Sequence, residues 1–95
     1  MQVQHKQTGE KGFFFIGEEE HRLAEMTYKM SSKEIMVIEH TEVSDALRGK
    51  NAGYLLVDAA VVFARAHQIR IRPVCPFAAA VFKKKPEYAD VQVTP

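Results

Sequence analysis

Apolar residues along this chain change their spacing near its middle. In the first half they come in short runs and alternations. Phe13, Phe14, Phe15 and Ile16 form a run between Gly12 and Gly17, and Glu18, Glu19 and Glu20 make a polar turn after it. From Ala24 the pattern alternates: Ala24, Met26, Tyr28 and Met30 fall on one side, Glu25, Thr27 and Lys29 on the other. That two-residue period predicts a half-buried strand. Ser31 to Glu34 turn the chain into Ile35, Met36, Val37 and Ile38. This segment is apolar at every position, which predicts a central strand covered on both faces.

The second half reads differently. Tyr54 to Ala66 is rich in Ala, Leu and Val, with Asp58 and Arg65 seven residues apart on one narrow polar stripe. A largely buried helix from about Ala52 to His67 follows. Gln68 ends it, and Ile69 to Val74 is a strand. Pro76 suits the first turn of a second helix, where its missing N–H costs nothing. That helix carries Phe77, Val81 and Phe82 and stops before Pro86. Lys83, Lys84 and Lys85 fall in its last turn, where cations favour the helix dipole, and read as a solvated end. Strand Ile35–Ile38, the long helix and strand Ile69–Val74 make one βαβ unit, so the two strands are predicted to be parallel. The expected fold is α+β: a mixed sheet with an N-terminal antiparallel meander, one βαβ unit and helices packed on its faces. There is no repeat, low-complexity tract or linker, which predicts a single domain over residues 1–95.

Composition narrows the function classes. With 95 residues, 46% apolar and 26% charged, and a mean hydropathy of −0.22, the chain belongs with globular domains. Its longest apolar run, Tyr54 to Ala64, is broken by Asp58 and is too short to span a bilayer. The first residues lack the apolar stretch of a signal peptide. One cysteine forms no internal disulfide and supplies little of a zinc site, and the histidines share no metal-ligand spacing. The expected compartment is the cytoplasm. A net charge of +1 offers no basic field, so neither nucleic acid nor membrane is an expected partner, and a monomer or weak dimer is.

The candidate chemistry sits at three places. Arg48, Gly49, Lys50, Asn51, Ala52 and Gly53 concentrate glycine and asparagine where a strand hands over to a helix. Backbone N–H groups there can converge on an anion at the positive end of the helix, and Asn tolerates the left-handed conformation better than most residues. Neither a Walker loop nor the dinucleotide glycine pattern fits, since Asn51 follows Lys50 and the spaced glycines are missing. An ordinary turn is the alternative. Cys75 precedes a Pro-started helix, a place that favours the thiolate; the alternative is a small buried hydrophobe. His40 follows the central strand, as a proton carrier or as a structural side chain. Glu39 and Glu42 alternate with it, and Tyr54 reads as a packing residue.

These residues together resemble a known family. Arg48-Gly49-Lys50-Asn51-Ala52-Gly53 is similar to the pyrophosphate loop of the GNAT N-acetyltransferases. His40-Thr41-Glu42-Val43-Ser44 and Cys75-Pro76-Phe77, with Pro86-Glu87-Tyr88 near the end, resemble a small single-domain branch of that superfamily. Asn51 stands where the family loop has its first glycine, and the helices that build the acceptor pocket in longer members have no counterpart. The resemblance implies acetyl-CoA or CoA as cofactor, its pyrophosphate held by Arg48 to Gly53. It implies pantetheine paired with Glu39 to Val43, including Thr41, Glu42 and Val43, as an added strand. Two parallel strands would splay around the thioester, with Cys75 and His40 both pointing near the acetyl group. The implied reaction is transfer to an unidentified amine acceptor, either directly or through Cys75. A non-catalytic acyl-CoA-binding module is the alternative.

Overall fold

The computed structural model describes residues 1–93. Five strands form one sheet in the order of the chain: β1 (Gln4–Thr8), β2 (Lys11–Glu18), β3 (His21–Ser32), β4 (Ile35–Val43) and β5 (Arg70–Pro73). The first four are antiparallel. β4 and β5 are parallel, with Met36 opposite Ile71, and α1 (Ala52–His67) makes the crossover between them. A second helix, α2 (Pro76–Lys84), follows, and then a 3-10 segment from Pro86 to Val91.

β1 is absent from the sequence-based expectation, and its composition explains why. Gln4, Lys6, Gln7 and Thr8 are exposed, as an edge strand allows, so no alternation marks it. Its one inward residue is polar: half-buried His5 stacks on Phe14 at 4.2 Å and shares a 2.6 Å hydrogen bond with the Tyr28 hydroxyl.

One face of the sheet carries the core. Phe14, Met26, Tyr28, Met36, Ile38 and Ile71 are buried there against Leu56, Val57, Ala60, Val61 and Ala64 of α1 and Ala78, Val81 and Phe82 of α2. Losing a side chain such as Leu56 from this layer would cost about 2–5 kcal/mol. The expectation that the Ile35–Ile38 strand is covered on both faces is not met. Met36 and Ile38 are buried, whereas Ile35 and Val37 are half-buried. Both helices pack into the same core layer because α2 leans on α1, and the other face keeps no helix among the described residues.

The polar stripe of α1 has a structural use. The Tyr88 hydroxyl donates to Asp58 at 2.8 Å, and Arg65 donates to both carboxylate oxygens of Asp90 at 2.9 Å and to the Glu87 carbonyl at 2.8 Å. These bonds dock the 3-10 segment on α1. Burial and the Asp58 carboxylate push the Tyr88 phenol up to about 12, so it stays a donor. No described helix is long and apolar enough to cross a membrane.

Candidate active site

The parallel pairing ends early, and the site begins there. Ile38 is the last residue of β4 paired with β5, opposite Pro73. The Ile38 carbonyl then accepts from both the Val74 and Cys75 N–H groups, at 3.1 and 3.0 Å, as the chain turns into α2. β4 continues to Val43 bonded to β3 alone. The edge of Glu39 to Val43 that faces away from β3 therefore has no strand partner among the described residues. The two strands part here, leaving between this edge and the start of α2 a notch that the Thr41–Cys75 contact spans.

The α1 N-terminus closes one end of this notch. Ser44 receives the end of β4: its N–H donates to the Leu23 carbonyl at 2.8 Å, and its hydroxyl accepts from the Ala46 N–H at 3.2 Å. A short 3-10 turn (Asp45–Leu47) leads into the loop. Gly49 lies at φ +78 and Asn51 at φ +59, both left-handed. Asn51 thus adopts the backbone region that a glycine would, at a modest cost for this residue type. It is also the N-cap of α1, yet its side chain makes no capping bond. The first N–H groups of α1 are left without a side-chain acceptor, the arrangement an anion completes. Arg48 and Lys50 are exposed beside it, Arg48 at 2.6 Å from Asp45 in a solvated ion pair worth little to the fold.

Gly53 has a packing role in addition to the one expected at the loop. It is buried, and a Cβ there would run into the ring of Phe77. Phe77 is in the first turn of α2 and also meets Tyr54 edge-on at 5.9 Å. Gly53 lets the two helix starts touch. A Gly53→Asp change consequently disturbs packing as well as charge and cannot isolate anion binding.

Cys75 is the N-cap of α2 and is 5% exposed, so it does not present an open sulfur as its position in the sequence suggested. Its Sγ lies 3.4 Å from the Thr41 hydroxyl. Burial pushes the thiol up, but the Thr41 hydroxyl and the Ala78 and Phe77 N–H groups favour the thiolate more, and the net shift is downward. Thr41 comes from the unpaired stretch of β4, so this contact joins two of the three sequence motifs.

His40 does not join them. A bulge in β4 decides this: Ile38 faces Tyr28 across the β3–β4 ladder, while His40 faces Thr27, so Glu39 is an extra residue. The bulge sends Thr41 toward the core side with Met26 and sends His40 and Glu42 to the uncovered side, where they line a groove with Glu25 and Thr27. The expectation that His40 and Cys75 converge fails because one inserted residue shifts the alternation by half a period. His40 is exposed.

Two neighbours of the loop stood apart from the sequence candidates. Lys84 and Lys85 line a cleft of about 610 Å³ with Asn51, Tyr54 and Asp58, so the lysine run reaches the same end of α1 as the loop. The signal was the run itself, read as a solvated helix end. Another cleft, of about 770 Å³, lies at the far end of α1 beside Phe63 and His67 and contains none of the sequence candidates. Among the described residues, no group of His, Cys, Asp and Glu side chains could hold a metal.

The mixed five-stranded sheet, its parallel βαβ unit and the helices packed on it make the fold of the GNAT acyl-CoA N-acyltransferases. A family model for the GCN5-related N-acetyltransferases matches residues 13–91, and the chain belongs to that family. Among solved structures it is similar to a GCN5-like protein from Staphylococcus aureus, at 36% identity and a TM-score of 0.75, over 97% of this chain and 89% of that one. More distantly, it shares its fold with a ribosomal-protein-alanine N-acetyltransferase from Brucella melitensis biovar Abortus 2308, at 11% identity, TM-score 0.62, and 93% and 65% coverage. An aminoglycoside N-acetyltransferase in complex with CoA has 11% identity and a TM-score of 0.55, with 85% and 68% coverage. No curated protein sequence matches the chain.

Proposed function

We propose that this chain binds acetyl-CoA in the notch and transfers the acetyl group to an amine. The observation that carries the reading is the uncapped α1 N-terminus, held open by left-handed Gly49 and Asn51, beside the unpaired edge of β4. The fit is chemical as well as spatial. The N–H groups of Gly49 and of Asn51 to Gly53, with the Arg48 and Lys50 side chains, suit a pyrophosphate, while the Lys50 N–H is given to the Leu47 carbonyl. The free edge at Thr41, Glu42 and Val43 suits the amides of an extended pantetheine. A Cβ at Gly49 would meet no atom within 4 Å, so the space beside the loop is open.

When bound, acetyl-CoA supplies an activated acetyl thioester. The chain's own residues do the rest. The β4 edge orients the arm, and Val74 and Phe77, 59% and 38% exposed, give apolar contact beside the thioester position. His40, on the open side of β4, accepts the proton that an attacking ammonium must lose. In the direct route the amine nitrogen bonds to the carbonyl carbon as the carbon–sulfur bond breaks. In the covalent route the Cys75 thiolate, favoured by Thr41, would bond to the carbonyl carbon as the CoA thiolate leaves, and the amine would then take the acetyl group as the Cys75 thiolate leaves. The 5% exposure of Cys75 supports the direct route.

Acetyl-CoA titration followed by amide shifts tests the cofactor. Shifts at residues 41–43 and 49–54 are expected, and shifts confined to the far cleft around His67 would refute the site. Release of free CoA thiol on adding a primary amine tests the transfer. Binding without release would leave an acyl-CoA-binding module. An acetylated Cys75 peptide by mass spectrometry, lost in Cys75→Ala, would establish the covalent route instead.

A further inference from the structure

The open sheet face carries two like-charge pairs that its own chain answers only in part, through Arg22 at Glu25 and Glu39 in the groove with Lys11. Lys11 and Lys29 are direct cross-strand partners, and the same row runs through Val37 to Arg72 on β5. Four residues along β3, Glu25 and Glu42 are direct partners as well. Like charges placed opposite each other destabilise a sheet. Among the described residues Lys11, Lys29, Arg72 and Glu42 have no ion-pair partner, and Arg22 neutralises Glu25 at 2.9 Å. The cationic row and the acidic pair are about 13 Å apart at the rise of an antiparallel strand. The acidic pair lies next to Thr41 and His40, at the notch.

We propose that this face docks the acceptor as a polypeptide, its lysine between Glu25 and Glu42 and an acidic side chain on the Lys11–Lys29 row. The identity of the amine rests on the transfer reading above. The docking itself rests on charge complementarity. A small amine needs an enclosed pocket. This face offers separate shallow grooves of about 330 and 160 Å³ instead. In an extended segment, side chains four positions apart point the same way and lie about 13 Å apart, matching the two pairs.

The test is binding, read by amide shifts on isotope-labelled protein. Blocked peptides carrying Lys-x-x-x-Glu or Glu-x-x-x-Lys are titrated against counterparts with Gln for Glu. One glutamate peptide is expected to bind roughly fivefold tighter than its glutamine counterpart, with shifts at Lys11, Lys29 and Glu42. Lys29→Glu should abolish that preference and favour a peptide with Arg in place of Glu. If Lys29→Glu fails to fold, Lys11→Glu makes the same test. Equal affinities for glutamate and glutamine peptides, or shifts on the helix side only, would overturn the proposal. Peptide discrimination without acetyl-CoA shifts would keep this surface and refute the cofactor. Acetyl-CoA shifts without peptide discrimination would do the reverse.

Discussion

Two helix starts meet at the notch, and they solve the same problem differently. Neither α1 nor α2 has a side-chain cap of the usual kind. At α2, Pro76 removes one orphan donor, and the Cys75 side chain makes no capping bond. At α1 the cap residue, Asn51, turns its backbone left-handed and keeps its side chain out of the way. Both starts leave N–H groups without a side-chain acceptor, and only the one at α1 follows a left-handed loop. The contact between Gly53 and Phe77 holds the two side by side.

Breaking that contact should have the largest effect. Gly53→Val places methyl groups where the Phe77 ring lies and should cost about 1–3 kcal/mol, seen as a lower Tm. Phe77→Ala in the same chain should recover part of the loss, which a charge effect at the phosphate site would not do. Asn51 comes next. Asn51→Val forces a β-branched residue into the left-handed region and should cost about 1–2 kcal/mol while weakening acetyl-CoA binding by calorimetry. Asn51→Gly should leave both nearly unchanged.

The α2 side is sharpened by titrating Cys75 through thiolate ultraviolet absorbance, which needs no access to the buried sulfur. A thiol held below its ordinary range is more ionised at a given pH, so the transition should fall below that of an exposed cysteine. Thr41→Val removes the side-chain donor and should move the transition upward, with little change in Tm. An unmoved midpoint would detach Thr41 from the thiol. The smallest effect is expected at Arg48, 80% exposed and paired only with exposed Asp45. Arg48→Ala should leave Tm unchanged and reduce the salt dependence of acetyl-CoA binding.

The sequence was most legible where one pattern had one solution. The Ala52–His67 helix was read to its boundaries because a nearly all-apolar stretch with a single polar stripe packs only as a buried helix. Asn51 was legible as a left-handed candidate, and the structure shows it in that region. Strand β1 was not legible, because a polar edge strand differs little from a loop until β2 pairs with it. The position of His40 was misread for a different reason. Alternation along β4 is counted residue by residue, and a bulge at Glu39 resets the count without leaving a sequence mark.

Local pattern and residue type thus determined the elements, the parallel βαβ unit and the loop, since each depends on neighbours within a few turns of chain. Tertiary structure alone decided which face each motif residue meets, that Gly53 serves a helix contact, that Thr41 and not His40 reaches Cys75, and that one sheet face stays open. Those outcomes depend on residues brought together across the chain, as Thr41 and Cys75 are, and on a ladder register that packing sets.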